Sequence, residues 1–160
     1  MAAMLIRSRW LVTGRPHSPA IEDGAVVVED GIVRAVGTYQ SLVNQGPFQE
    51  EFGDAARHIV LPGFINGHHH ATRPVRLGLT PGPLETWLLK INARSLPPFS
   101  DEESYDHTMW GALQMLKSGV TTVLDHHTGD PRLYGADLER SIQAYLASGI
   151  RTVFSLGCAD

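Results

Sequence analysis

The stretch Leu61-Pro62-Gly63-Phe64-Ile65-Asn66-Gly67-His68-His69-His70 contains the most informative residues of this chain. The apolar run that leads into it, residues 59–67, has the composition of a short buried strand. Side chains on a strand alternate between its two faces, so His68 and His70 are predicted to point one way and His69 the other. Imidazole is the commonest metal ligand among side chains. We therefore take His68 and His70 as candidate ligands of one metal ion.

Composition limits the possible functions. The 160 residues are enough for one domain or part of a larger one, and 13 Lys and Arg against 17 Asp and Glu give a net charge of −4. Neither sign is collected into a block, which argues against nucleic-acid and membrane partners. The one cysteine, Cys158, fits a reducing compartment. Without a signal sequence or a long apolar span, the chain is expected to be cytoplasmic.

The first 57 residues have the pattern of a β domain. Residues 24–29 and 32–37 are rich in β-branched side chains and are separated by Asp30-Gly31, which predicts a tight hairpin. Residues 38–57 lose this pattern and are predicted to form a connection with one short helix.

After residue 58 the pattern changes to alternating strands and helices. Ser100 and Glu103 form a capping box that predicts a helix start. Strands are expected at residues 120–124 and 151–157, with a second helix between them, which makes a βαβ unit with parallel strands. Apolar residues at helical spacing are expected to face the core. They are Tyr105, Met109, Ala112, Leu113 and Leu116 in the first helix and Leu138, Ile142, Tyr145 and Leu146 in the second.

A proline-edged excursion, residues 71–99, separates the first two of these strands and is a candidate pocket wall. Trp87 can line that pocket, although packing of its helix on the sheet is an equally good interpretation. Arg73 follows the histidines and can contact a polar group of a substrate, although surface arginines are more common.

The second strand ends in Asp125-His126-His127, at the edge where His68 and His70 are expected. All three are candidates for substrate contact, with helix capping and exposure as the alternative. By alternation Asp125 and His127 share one direction and His126 takes the other. The sequence leaves open which set faces the site.

Residues 62–70 resemble the Pro-Gly-apolar-apolar-Asn-x-His-x-His signature of the metal-dependent amidohydrolase superfamily. Residues 118–125 and 84–88 are similar to the Gly-x-Thr-Thr strand and first loop of its cytosine-deaminase-like and chlorohydrolase branch. The resemblance implies an α/β fold with a (β/α)₈ TIM-type barrel. Residues 1–57 would be N-terminal strands of a small β-sandwich, and residues 58–160 the first three βα units of the barrel, truncated.

The resemblance also implies a chemistry. His68 and His70 would hold one divalent ion, zinc in the first place and iron as the alternative, which generates hydroxide from bound water. That hydroxide would attack a non-peptide C–N bond and deaminate a small heterocyclic substrate. The family's remaining ligands and its proton-transfer residues come from later strands, which a complete barrel of about 250 residues contains. The catalytic residues are therefore unknown here, and the full-length form is expected to be a homo-oligomer.

Three interpretations follow. The favoured one is the N-terminal part of such a hydrolase, with the isolated chain inactive. The second is a non-catalytic metal-binding or scaffold module completed by another chain, at the cost of an open sheet edge. The third is a surface metal-binding tract, against which the strand context of the histidines argues.

Overall fold

In a computed structural model of the chain, residues 3–71, 82–87, 99–128 and 136–157 are described. The chain divides into two compact units, Met1–Pro62 and Gly63–Asp160. No helix in the described ranges is long and apolar enough to cross a membrane.

The first unit is built on a four-stranded sheet with the order β3-β2-β1-β4. Its strands are β1 Ala3–Leu11, β2 Ile21–Glu29, β3 Ile32–Thr38 and β4 Glu50–Val60. β2 and β3 are antiparallel and meet at Asp30 and Gly31, whose φ angles are 50° and 76°. Two consecutive positive φ angles are what a two-residue hairpin turn requires, so the predicted hairpin is confirmed. A small core of Leu5, Ala25, Val27 and Leu42 lies against this sheet.

The connection predicted at residues 38–57 is only half right. A short helix, α1 Tyr39–Leu42, is present, but β4 begins at Glu50 and pairs in parallel with β1. The sequence does not predict this strand, because acidic residues and Gly53 interrupt any apolar alternation. The strand is stabilised by its pairing with β1, which is distant in sequence. The single strand predicted within residues 59–67 is also wrong, since Ile59 and Val60 end β4 and a new strand begins at Phe64.

The second unit contains a three-stranded parallel sheet with the order β5-β6-β7 and two described helices that flank β6 in sequence. The elements are β5 Phe64–His69, α2 Asp101–Lys117, β6 Val120–Thr128, α3 Ala136–Ser148 and β7 Arg151–Gly157. This order confirms the predicted βαβ unit. Gly63 precedes β5, where a Cβ atom would overlap the Thr121 side chain, so glycine lets the start of β5 lie close to β6.

Helix α2 begins with the predicted capping box. The Ser100 hydroxyl accepts a hydrogen bond from the Glu103 backbone N–H, and the Glu103 carboxylate accepts one from the Ser100 N–H at 2.8 Å. Asp101 and Glu102 add negative charge at the positive helix end. The helix therefore starts where the sequence predicts.

Only part of the predicted apolar stripes packs inward: Ala112 and Tyr145 are buried, and Leu116 packs against the core. Leu113 and Leu146 of these stripes are instead 47% and 77% exposed, and small residues take several of the buried positions. The buried side chains on the two helices include Ser104, Thr108, Ala112, Ser141 and Ala144. Small side chains let α2 and α3 approach closely, and the buried Thr108 hydroxyl donates to the Ser141 hydroxyl at 3.0 Å. Helical periodicity alone misses Ser104, Thr108 and Ser141 because their side chains are not apolar.

The sheet has one face toward the helices and one face away from them. Val123 and Tyr145 belong to the core between sheet and helices. Ile65 and Val153, which alternate to the other face, are 75% and 55% exposed. The expectation that the strand within residues 59–67 is buried is therefore wrong in the described part of the chain, where Phe64 and Ile65 are exposed.

Candidate metal centre

His68 and His70 lie together at the carboxyl end of β5. Their ring centroids are 4.8 Å apart and their planes are nearly perpendicular. Asn66 holds the backbone at His68, because its Oδ1 accepts a hydrogen bond from the His68 backbone N–H at 3.2 Å. Its Nδ2 contacts Met115 Sδ at 3.6 Å and ties this turn to α2. Asn66 thus holds the strand end that carries the imidazoles, a role that the sequence motif alone does not reveal.

His70 is held by a hydrogen bond between its ring and the backbone of β6. His70 Nδ1 lies 2.6 Å from the backbone carbonyl oxygen of His126. A carbonyl oxygen only accepts hydrogen bonds, so His70 Nδ1 carries a proton and donates it. Histidines that bind metals commonly donate their other ring N–H in this way. The bond cannot be found by sequence reasoning because its acceptor belongs to the backbone.

His69 points to the opposite face and packs on α2. Its ring lies beside Gly111 of α2, where an added Cβ atom would be in van der Waals contact with His69 Nε2 at 3.4 Å. Burial lowers the pKa of His69, an effect that the nearby Asp125 carboxylate opposes and His68 reinforces. His69 is a neutral packing residue at neutral pH, separated from the His68/His70 pair by strand alternation.

Asp125 is fully buried between the sheet and the helices. Its Oδ1 accepts a hydrogen bond from the Ala71 N–H and its Oδ2 one from the Tyr145 hydroxyl, both at 3.2 Å. Burial raises the pKa of Asp125, and the bond from Ala71 opposes that rise. Burial together with the Asp125 carboxylate also raises the pKa of Tyr145. With both oxygens directed into the core, Asp125 does not have the predicted position for substrate contact.

His126 and His127 separate as alternation requires. The His127 ring is buried on the helix side, with Nε2 3.7 Å from Asp137 Oδ2 and the ring beside Phe154. His127 therefore lies with Asp125 and not at the expected pocket. The His126 ring lies 5.4 Å from the His70 ring and 6.0 Å from the His68 ring, centroid to centroid. Of the three candidates at this strand end, the structure brings His126 to the histidine pair.

The other two pocket candidates are less informative. Trp87 is half-buried at the end of a helical segment, residues 84–87, and its backbone N–H donates to the Pro83 carbonyl at 2.9 Å. Arg73 lies outside the described residues.

The donor set fits the start of a metal site. Two imidazoles share a face, and the ring of one is held by a hydrogen bond. Over residues 3–71, 82–87, 99–128 and 136–157, no three side chains of His, Cys, Asp or Glu are already arranged to hold an ion.

Comparison with known proteins adds a family and a fold. The model of the amidohydrolase family matches residues 59–160. The chain is 31% identical over 150 residues to a 5-methylthioadenosine/S-adenosylhomocysteine deaminase of Thermodesulfovibrio yellowstonii, covering 91% of this chain and 34% of the relative. It is 36% identical over 126 residues to an 8-oxoguanine deaminase of Pseudomonas aeruginosa, covering 74% of this chain and 26% of the relative.

A solved structure shows the same fold. The atrazine chlorohydrolase TrzN of Arthrobacter aurescens, in complex with zinc and atraton, matches with a TM-score of 0.82 and 24% identity over 95% of this chain and 35% of its own. The chain thus spans about a third of the length of the relatives that it matches, or less.

Proposed function

The chain belongs to the amidohydrolase family, and we propose that it is the N-terminal part of a metal-dependent hydrolase that deaminates a small heterocycle by cleaving a non-peptide C–N bond. The observation that carries this proposal is the His68/His70 pair, with its rings 4.8 Å apart and His70 Nδ1 bonded to the His126 carbonyl oxygen. These two side chains would hold the divalent ion, zinc in preference to iron.

When bound, such an ion supplies a Lewis acid that activates water and polarises the carbon under attack. This chain's own residues would bind and orient. His68 and His70 would hold the ion through ring nitrogens, and the His126 carbonyl orients the His70 ring by accepting the hydrogen bond from Nδ1. Asp125 holds the backbone directly after His70 through the Ala71 N–H. We expect the proton-transfer residues to lie outside the described part of the chain.

The substrate that we propose is a purine or a purine nucleoside. Support comes from relatives whose names specify deamination of methylthioadenosine, S-adenosylhomocysteine and 8-oxoguanine. His126 is the candidate for substrate contact among the described residues near the pair. Trp87 remains a candidate for the pocket wall.

We further propose that β5, β6 and β7 are the first three strands of a (β/α)₈ barrel, and that residues 1–57 belong to a β-sandwich. Three observations support the barrel. The strands are parallel, helices pack on one face, and apolar Ile65 and Val153 stand exposed on the other, which becomes the interior of a closed barrel. Active sites of such barrels lie at the carboxyl ends of the strands, where His68 and His70 are found.

Zinc titration of the purified protein by calorimetry tests the metal assignment. We expect binding that His68→Ala and His70→Ala each weaken strongly. His17→Asn is the matched control, because it removes an imidazole from an exposed position with a φ of 59°, which asparagine tolerates. Zinc binding that survives loss of both His68 and His70 would show that the ligands lie elsewhere.

Ammonia release from adenosine, 5-methylthioadenosine and 8-oxoguanine tests the reaction, with protein expressed from its complete coding sequence. We expect turnover of at least one of these compounds and its loss in His68→Ala. A zinc-binding protein without turnover of any heterocycle would favour the second function, a non-catalytic metal-binding module completed by another chain. The exposed apolar sheet face is the observation that keeps this alternative open.

A further inference from the structure

The regular pairing of β5 with β6 is interrupted where the histidines lie. Asn66 pairs with Val123 and His69 pairs with Asp125, so three steps along β5 match two steps along β6. Strand β5 then ends at His69, and His70 lies beyond its last paired residue. The backbone ladder of the sheet therefore does not extend to His70.

Two consecutive residues of β6 hold this strand end instead. The Asp125 carboxylate accepts a hydrogen bond from the Ala71 backbone N–H at 3.2 Å. The His126 carbonyl oxygen, 2.6 Å from His70 Nδ1, accepts the hydrogen bond that this nitrogen donates. The first bond fixes the backbone directly after His70, and the second fixes the direction of its ring. The placement of His70 thus depends on both bonds.

Tyr145 of helix α3 holds the Asp125 carboxylate in turn. Its hydroxyl donates to Asp125 Oδ2 at 3.2 Å, while Oδ1 takes the Ala71 N–H. Asp125 is completely buried, and Ala71 and Tyr145 are each 2% exposed, so both bonds are shielded from water. Loss of the hydroxyl would leave a buried oxygen unsatisfied and would remove the contact that keeps the carboxylate directed at Ala71. A hydrogen-bonded connection therefore runs from α3 to the end of β5.

We propose that Asp125 and Tyr145 are positioning residues, which hold His70 in place through the backbone that follows it and so strengthen binding of a divalent ion. This inference rests on the proposed function, which assigns His70 as a ligand. Outer residues that hold metal ligands in place commonly change metal affinity by about 10- to 100-fold when they are replaced. Because Tyr145 acts through Asp125, its replacement should have the smaller effect.

Zinc titration by calorimetry tests the proposal, with protein expressed from its complete coding sequence and at a temperature where circular dichroism shows each variant folded. Asp125→Leu removes both bonds, and we expect zinc affinity to fall by about tenfold or more. Asp125→Asn keeps an oxygen for the Ala71 N–H and offers an N–H to the Tyr145 hydroxyl, so it should bind zinc more tightly than Asp125→Leu. Tyr145→Phe should weaken binding by about threefold to tenfold, in line with the loss of one hydrogen bond.

Ser141→Ala is the matched control. It also lies on α3 and removes a buried hydrogen bond, but that 3.0 Å bond comes from Thr108 and joins α3 to α2. We expect Ser141→Ala to lower the free energy of unfolding in urea and to leave zinc affinity unchanged. Hydrogen exchange of peptides that contain Ala71, measured without metal, should be faster in Tyr145→Phe and unchanged in Ser141→Ala. A role in stability alone would not separate the two variants.

The outcomes distinguish this inference from the proposed function. If His68→Ala weakens zinc binding strongly while Tyr145→Phe matches Ser141→Ala in zinc affinity or in exchange, the inference is overturned and the proposed function stands. If zinc binding is insensitive to His68→Ala, the metal assignment fails and the inference fails with it. If Asp125→Leu does not fold, the comparison of Tyr145→Phe with Ser141→Ala decides.

Discussion

A single carboxylate, that of Asp125, joins the strand that carries the histidines to helix α3. One oxygen accepts from the Ala71 N–H, directly after His70, and the other accepts from the Tyr145 hydroxyl. The carboxylate is fully buried, where an unsatisfied polar group is costly. The two bonds therefore do more than stabilise the core, since they also hold the end of β5 in place.

Tyr145→Phe removes one of these bonds while keeping the ring that packs against Phe154. We expect the free energy of unfolding to fall by about 1–3 kcal/mol, the range for hydrogen bonds to charged or buried groups. Urea denaturation measures this loss. Tyr105→Phe is the control, because Tyr105 is a half-buried tyrosine whose hydroxyl makes no hydrogen bond with the described residues. Equal effects of the two substitutions would contradict a role for the hydroxyl of Tyr145.

The ion pair between Arg7 and Asp23 gives a prediction about pH. Two hydrogen bonds from the Arg7 guanidinium, at 2.7 and 3.0 Å, hold the pKa of Asp23 below its ordinary value of 3.8. A pKa lowered by folding stabilises the native state above the unfolded pKa, and this stabilisation is lost as pH falls through the folded pKa. Asp23→Asn should therefore be less stable than the parent protein at neutral pH.

That difference in stability should shrink below about pH 4. Asparagine accepts the φ of 46° at this position, so the substitution changes charge without straining the backbone. Urea denaturation of both proteins across this pH range measures the difference, and added salt should reduce it at neutral pH. A difference that stays constant with pH would mean that the pair contributes through packing alone.

At the scale of the elements, helix α2 connects the sheet to the second helix. It packs on His69 through Gly111 and on α3 through Thr108. Ser100 and Glu103 stabilise its first turn, which lies N-terminal to these contacts. The position of the helix is thus set by its cap and by small side chains, together with the packing of Ala112, Met115 and Leu116 in the core.

Ser100→Ala tests the cap. The substitution leaves the Glu103 backbone N–H without its acceptor, and we expect a loss of about 1 kcal/mol in the free energy of unfolding. Far-UV circular dichroism during urea denaturation measures it. Ser100→Asp restores an acceptor at the same position and should recover most of the loss. Failure of Ser100→Asp to recover more than Ser100→Ala would indicate that the serine acts by something other than capping.

Local signals in the sequence predict the elements that are held together locally. The Asp30-Gly31 turn and the Ser100 cap are where they were predicted, because each depends on a few adjacent residues. β4 was missed because parallel pairing with β1 stabilises a segment whose own composition is acidic. Alternation predicted that His126 and Asp125 would separate, but only the position of the helices decides which of them faces His70.

At the scale of the whole molecule, the second unit has one covered and one uncovered sheet face in the described ranges. Val123 is completely buried under the helices, whereas Ile65 and Val153 are 75% and 55% exposed on the other face. Exposed apolar surface of this kind marks an interaction site or a tendency to aggregate. The relatives are about three times as long as this chain, so in a longer protein we expect further strands to cover that face.

For the 160-residue chain itself, we therefore predict concentration-dependent self-association through this face. Ile65→Thr combined with Val153→Thr should reduce association, as measured by sedimentation velocity, because threonine keeps the β preference while lowering the apolar area. The thermal stability should change little, since both side chains are largely exposed. Leu146→Thr is the control, because Leu146 is 77% exposed on α3 and belongs to no strand. If Leu146→Thr reduces association as much as the double substitution does, general surface hydrophobicity and not the open sheet face drives it.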